Sequence, residues 1–174
     1  MQIKTEDFAA CRIINFYVQQ AVITEGKAVL GFVQPAKGLM QKLLQIKGVQ
    51  RCLITAPLIS VKYNENADVA EMKDLVLAEI DDFMEENNLP AEIETNDNVS
   101  LEQMVEALAD AFIRPTLYRD NGGINLVELK GNTLIMQFTG HCAGCPYAQN
   151  TLNNVVSKTL QKYLPQIHSV QIKE

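Results

Sequence analysis

The sequence lacks long apolar runs and a surplus of basic residues. No apolar stretch approaches the roughly 20 residues that span a bilayer, so no membrane-spanning segment is expected. The chain of 174 residues has 15 basic against 21 acidic side chains, a net charge of −6. Proteins that bind nucleic acids usually present a basic surface. The composition therefore favours neither a membrane nor a nucleic-acid partner.

The first residues show no targeting pattern. Residues 1–7 are mixed and acidic, without the apolar core of a secretory signal or the arginines of a transit peptide. A cytoplasmic, bacterial-type location is therefore expected, with a mature organellar protein as the alternative. In such a reducing compartment, paired cysteines bind metals or carry redox chemistry more often than they form structural disulfides.

Only two of the four cysteines are close in sequence. Cys142 and Cys145 form a CxxC pair within residues 140–146, whereas Cys11 and Cys52 stand alone. Two thiols at this spacing hold one soft metal centre or form one disulfide. A four-thiolate centre needs two more ligands, so one chain supplies half a site and a structural zinc site within one chain is disfavoured. A small thiol-disulfide oxidoreductase is the alternative function.

A local change in composition predicts two domains. Residues 87–99 combine proline, asparagines and acids without apolar periodicity, which is typical of a solvated linker. Residues 1–86 are expected to form one small α+β domain and residues 100–174 a second. The surplus of acidic residues lies in the first domain and the linker.

Apolar periodicity predicts the order α-β-β-α-β for the second domain. Ser100 and Gln103 form a capping box at the start of the first helix, and Pro115 is expected to end that helix. The second helix follows the CxxC loop. The expected strands of a three-stranded sheet are residues 124–129, 133–139 and 167–172. The predicted fold class is therefore α+β, in two small domains.

The CxxC pair is expected at a helix N-terminus. Pro146 suits the first helical position, which places Cys145 near the N-cap. Free backbone N–H groups and the helix dipole favour a thiolate there, so activated thiols are expected. Gly140 and Gly144 have no side chains and would let the loop fold closely around a sulfur-rich centre.

The second half of the chain contains four characteristic stretches: residues 113–117 (Ile-Arg-Pro-Thr-Leu), 120–123 (Asp-Asn-Gly-Gly), 140–146 (Gly-His-Cys-Ala-Gly-Cys-Pro) and 151–152 (Thr-Leu). In their order and spacing they resemble the C-terminal domain of NifU and of the Nfu iron-sulfur proteins. More weakly, residues 1–85 resemble the Nfu N-terminal domain. The matching stretches there are residues 1–7, 46–49 and 58–62.

The resemblance implies a carrier of iron-sulfur clusters and not an enzyme. Nfu domains bind a cluster, typically 4Fe-4S, between two protomers, and transfer it to apo-proteins. Cys142 and Cys145 would be the cluster and metal ligands, with a 2Fe-2S cluster as the alternative and no catalytic residues. The implied partners are a second copy on cluster binding, apo iron-sulfur acceptors and an upstream assembly scaffold.

Two stretches depart from the family pattern. Nfu proteins commonly have Thr-Pro-Asn-Pro near the start, where this chain has Phe-Ala-Ala-Cys at residues 8–11. They usually have Asp-Gly-Gly-Asp where this chain has Asp-Asn-Gly-Gly at residues 120–123. The second departure spares the cysteines, so cluster chemistry is expected to survive while partner contacts differ.

The remaining candidate ligands are expected to be structural. Cys11 and Cys52 lie in apolar, strand-like segments, where a free cysteine behaves as a small hydrophobe. His141 adjoins the CxxC and is expected to be a loop side chain, and His168 a strand residue. No hydrolase triad, phosphate-binding glycine loop or zinc-hydrolase motif is present, so no enzyme is predicted.

Overall fold

The computed structural model describes residues 2–32, 37–94 and 98–173. The chain divides into two compact units, residues 1–99 and 100–174, which are described separately below. Each unit combines helices with one sheet, so the predicted α+β class with two domains is confirmed. No helix among the described residues is both long enough and apolar enough to cross a membrane.

The first unit is an antiparallel five-stranded sheet with two helices. The sheet order is β1-β2-β5-β4-β3. Its strands are β1 Lys4–Phe8, β2 Ile13–Tyr17, β3 Ala28–Gly31, β4 Val49–Thr55 and β5 Leu58–Tyr63. The helices are α1 Gly38–Gln45 and α2 Val69–Glu86, and one turn of 3-10 helix, Ala9–Cys11, joins β1 to β2.

One face of helix α2 supplies much of this unit's core. The helix begins at Asp68, whose carboxylate accepts the Glu71 backbone N–H at 3.1 Å. Its buried residues recur every four positions, so they form one apolar stripe against the sheet. Those residues are Met72, Val76, Ile80 and Met84.

The beginning of the expected linker contacts the first unit. Leu89 and Ile93 pack against its core, and the Ala91 backbone N–H donates to the Val22 carbonyl at 2.7 Å. Residues 95–97 of the same segment lie outside the described part of the chain. Apolar side chains between the acids explain why residues 89–93 pack instead of staying solvated.

The second unit has a three-stranded sheet in the order β6-β7-β8. Strands β6 Gly122–Lys130 and β7 Thr133–Gly140 form an antiparallel hairpin, and β8 Ser169–Ile172 runs parallel to β7. The helical segments are α3 Leu101–Leu108, α4 Arg114–Arg119, α5 Ala148–Thr151 and α6 Lys158–Tyr163. Two π-helical segments, Ala109–Ile113 and Leu152–Ser157, connect them in pairs. The element order therefore agrees with the predicted α-β-β-α-β pattern.

The first helix of the second unit begins as predicted but ends later. The capping box is present, with the Gln103 backbone N–H on the Ser100 hydroxyl at 3.1 Å and the Ser100 backbone N–H on the Gln103 side chain at 2.9 Å. The expectation that Pro115 ends this helix is wrong, because helical structure continues to Arg119. The wider π-helical turn directly before Pro115 accommodates the proline ring and its missing N–H.

Candidate functional site: a CxxC turn on a glycine platform

The two CxxC thiols lie in a hydrogen-bonded turn between β7 and α5. Cys142 and Cys145 are both half-buried, and both are free thiols. The Cys142 N–H donates to the Thr139 carbonyl at 3.3 Å, and the Cys145 N–H donates to the Cys142 carbonyl at 3.3 Å. The Ala148 N–H then donates to the Cys145 carbonyl at 3.0 Å. Local backbone bonds therefore hold both cysteines in one turn.

Two glycines of this turn have left-handed backbone angles. Gly140 has φ 59° and Gly144 has φ 73°, values that other residues rarely adopt. Gly140 also lies directly against the Asn121 carbonyl, so a side chain at residue 140 would overlap that oxygen. The space around Gly144 is open, so glycine is required there for the left-handed backbone angle and not for lack of room.

A second pair of glycines forms the floor beneath Cys142. The Cys142 sulfur lies directly on Gly122, where any side chain would overlap it. The backbone N–H of Gly123 donates a hydrogen bond to the same sulfur. Pairing of β6 with β7 places these glycines under the turn, because Gly122 stands opposite Gly140 and Gly123 opposite Thr139. Residues 122–123 are called the glycine platform below.

Sequence reasoning did not assign this role to the platform. Its signal in the sequence is the Asp-Asn-Gly-Gly stretch at residues 120–123, which by itself predicts a turn and not a contact with a cysteine. Asn121, which stands where the family usually has glycine, adopts φ 57°. Asparagine tolerates this left-handed conformation better than most residues, so the departure keeps the turn. The carbonyl of Asn121 accepts the His141 N–H at 3.1 Å, which ties the turn to the CxxC loop.

The expectation of activated thiols is wrong for Cys142. Burial raises the pKa of the Cys142 thiol; the Gly123 hydrogen bond lowers it, and the nearby Cys145 and Asp120 raise it. The helix also begins later than expected, at Ala148, and Pro146 precedes it. The N-cap of this helix is Tyr147, so neither cysteine stands at the helix N-terminus, where the dipole favours a thiolate.

Cys11, Cys52 and His168 lie outside the CxxC turn, whereas His141 directly precedes Cys142. Cys11 and Cys52 are buried, and burial raises the pKa of the Cys52 thiol to about 12. Cys52 lies in β4 as expected, whereas Cys11 lies in the 3-10 turn and not in a strand. His141 is exposed, and the exposed His168 contacts Asn132 by its backbone N–H and its ring. Across the described residues, no three Cys, His, Asp or Glu side chains are grouped closely enough to hold a metal ion.

Comparison with known families identifies the unit that contains this turn. Residues 105–171 match the model of the NifU-like domain family. The second unit is similar to NifU-like domains over most of its length. The match extends from within α3 to β8, so it includes the glycine platform and both CxxC cysteines.

Similarity to curated proteins extends over nearly the whole chain. The chain is 27% identical over 183 aligned residues to the mitochondrial NFU1 iron-sulfur cluster scaffold homolog of Drosophila persimilis, covering 98% of this chain and 64% of that protein. It is 30% identical over 142 residues to the Drosophila grimshawi protein of the same name, covering 76% of this chain and 47% of that protein. The chain thus spans less than two thirds of these relatives. The predicted resemblance to Nfu-type proteins is confirmed.

Similarity to solved structures is low. The crystal structure of Staphylococcus aureus protein SAV1430 aligns with 46% of this chain and 99% of its own, at a TM-score of 0.40 and 14% identity. A similarity at this level supports no statement about function.

Proposed function

We propose that this protein is an iron-sulfur cluster carrier, in which Cys142 and Cys145 of two copies hold one cluster between them. The observation that supports this most is the placement of two half-buried free thiols in one turn of a unit similar to NifU-like domains. Relatives over nearly the whole chain are named iron-sulfur cluster scaffolds. The cluster is cargo here, which the protein binds and releases unchanged, so the role is not catalytic.

The chemistry of the turn suits a temporary site. An iron-sulfur cluster in a protein is usually held by four cysteine thiolates. One chain would contribute two of them through its CxxC pair. Both cysteines are partly exposed, so the thiolates of an acceptor would reach the cluster and replace them one at a time. A fully buried set of four ligands would hold the cluster too firmly for transfer.

We infer that the cluster is of the 4Fe-4S type because the chain resembles Nfu domains, which typically bind that type. Four thiolates satisfy the four irons of such a cluster, one each. A 2Fe-2S cluster also takes four thiolates and is the alternative. Counting iron per dimer distinguishes them, because the two clusters contain four and two iron atoms.

The first unit is proposed to select partners. It carries more acidic than basic side chains and holds no grouping of metal ligands among its described residues. Surface charge of one sign guides association with oppositely charged partners. The expected partners are apo iron-sulfur proteins as acceptors and an upstream assembly scaffold as donor. The proposed location is a bacterial-type cytoplasm or an organelle, and the relatives, which are named mitochondrial, support the second.

An oxidoreductase function is less well supported. Thiol-disulfide exchange at neutral pH depends on a thiolate of lowered pKa. The pKa of Cys142 is shifted upward instead. Ligation to iron removes this obstacle, because the positive metal favours loss of the proton.

Cysteine-to-serine variants test the proposed ligands. After anaerobic reconstitution with iron and sulfide, C142S and C145S are expected to hold no cluster, because each removes half of a chain's ligands. C11S and C52S are the matched controls and are expected to hold a normal cluster, apart from some loss of stability, since both residues are buried within the first unit. Iron and sulfide analysis measures the outcome. A normal cluster in either CxxC variant would refute the assignment.

Native mass spectrometry tests the shared site. Reconstitution is expected to convert the protein to a dimer that contains one four-iron cluster for two chains. The mass of the loaded species counts chains and iron together. A loaded monomer with a complete cluster would contradict the proposal.

A further inference from the structure

A buried arginine in the second unit has no part in the proposed ligand set. Arg114 is 7% exposed. Its Nη1 donates to Asp110 Oδ1 at 2.9 Å and to Glu106 Oε2 at 2.8 Å. Burying a charge costs free energy unless the charge is paired, and an apolar residue in the same place is often as stable. The arginine therefore calls for an explanation beyond core packing.

Beyond these carboxylates, Arg114 donates from Nη1 to the Glu106 backbone carbonyl at 3.5 Å and from Nε to a strand of the site. Its Nε donates to the backbone carbonyl of Ile124 at 3.0 Å. Ile124 follows the glycine platform directly, and that platform supports the Cys142 sulfur. Arg114 is thus connected to Cys142 through one side-chain hydrogen bond and a short length of strand.

This contact acts on an edge strand. In the order β6-β7-β8, strand β6 pairs with β7 on one side only. Among the residues that the structure describes, no strand pairs with its other side in that sheet, so the start of β6 needs another contact to hold it in place. Arg114 provides one from α4, and the carboxylates of Asp110 and Glu106 fix the guanidinium in turn.

The fork of the guanidinium explains why arginine is used. Nε and Nη1 donate in different directions at once, to a backbone carbonyl and to two carboxylates. A lysine ammonium keeps the positive charge but lacks this planar arrangement of donors. Replacement by lysine therefore weakens the contact with Ile124 while leaving the buried charge paired.

We propose that Arg114 is a positioning residue for the cluster site, which fixes the start of β6 so that the glycine platform holds Cys142 in the geometry for cluster binding. This inference rests on the proposed carrier function. Arg114 touches neither cluster nor cysteine in this role and acts through the strand alone.

The test compares R114K with a control on the same helix, R119K, in the full-length protein. In the apo-protein, hydrogen exchange of the Gly123 amide reports on the platform, and residues 129–134 report on the distant end of the hairpin. In the loaded protein, transfer of iron to a chelator gives the rate of cluster loss. R114K is expected to speed both Gly123 exchange and cluster loss about tenfold, since one hydrogen bond is lost. R119K is expected to match the wild type, because Arg119 is exposed.

Amide exchange at the two ends of the hairpin distinguishes a local effect of R114K on the platform from a general loss of domain stability. Equal acceleration at Gly123 and at residues 129–134 would mean that Arg114 only stabilises the domain, and would overturn its positioning role. Cluster loss at the wild-type rate from folded R114K would overturn it as well. Wild-type protein that takes up no cluster would overturn the proposed function itself, before any variant is compared.

A second variant covers the case in which R114K does not fold. D110N keeps Arg114 but removes one of the two charges that fix it. It is expected to speed Gly123 exchange and cluster loss in the same direction as R114K and by a smaller factor. A folded D110N that matches the wild type in both measurements would overturn the proposal.

Discussion

Substitution of Gly122 by alanine is expected to weaken cluster binding without unfolding the domain. A Cβ at residue 122 would overlap the Cys142 sulfur and would lie 3.1 Å from the Cys142 Cβ and 3.2 Å from its backbone nitrogen. Gly122 is not among the glycines with positive φ, so alanine fits the backbone itself. The entire conflict therefore falls on Cys142, which must move.

The size of the effect follows from the crowding. Forcing an extra methyl group into a packed site costs about 1–3 kcal/mol. The CxxC turn is partly exposed and is able to shift, so most of this cost appears as a displaced ligand and not as unfolding. Each ~1.4 kcal/mol is a factor of ten in affinity. Cluster affinity is therefore expected to fall by about fivefold to a hundredfold.

Gly131→Ala is the matched control for Gly122→Ala. Gly131 has φ 58° and nothing within 4 Å of an added Cβ, so alanine there strains the backbone but touches no neighbour. This control is expected to lose about 1 kcal/mol of folding free energy and to keep its cluster.

The assay combines chemical unfolding of the apo-protein with the rate of cluster loss to a chelator. The two variants should show opposite patterns: G122A stays stable and loses cluster quickly, whereas G131A is less stable and keeps it. Normal cluster retention by G122A would refute the role of the glycine platform.

Three further outcomes are expected. A fragment of residues 98–174 should take up cluster alone, measured by iron content; a folded fragment without cluster would show that the first unit shares in the site. Ser100→Ala should destabilise the second unit by about 1 kcal/mol in urea unfolding, because the capping box is lost; unchanged stability would contradict this. Burial raises the pKa of Cys52 to about 12. The folded state therefore holds this proton more tightly, and the stabilisation is lost as pH rises above about 9. In Cys52→Ala the free energy of unfolding should therefore fall less steeply with pH above about 9 than in the wild type. An unchanged slope would contradict this contribution of Cys52.

Much of the fold was predictable because its signals are local. The capping box at Ser100 depends on residues three apart, and the hairpin around Gly131 on alternation beside a turn. Helix α2 likewise carries local signals in its apolar period and in Asp68 as its cap. These patterns use neighbouring residues only, so one sequence contains them in full.

Helix ends were less predictable where neighbouring structure decided them. Pro115 is a strong local stop signal, but the π-helical turn before it allows the helix to continue. Pro146 suggested a helix start, yet α5 begins at Ala148 because the CxxC turn takes up the intervening residues. A proline restricts its own backbone, while the conformation before it depends on the packing of the whole unit.

The sequence by itself determined the number of thiols at the proposed site: two cysteines at CxxC spacing are half of the four thiolates that the proposed cluster needs, whatever the fold. It also determined the α-β-β-α-β order, because apolar periodicity is a property of the chain. Only the tertiary structure decided that the glycine platform lies under Cys142, that Arg114 bonds to Ile124, and that burial raises the pKa of Cys142. The physical reason is that contact and desolvation arise between segments distant in sequence, once β6 and β7 have paired.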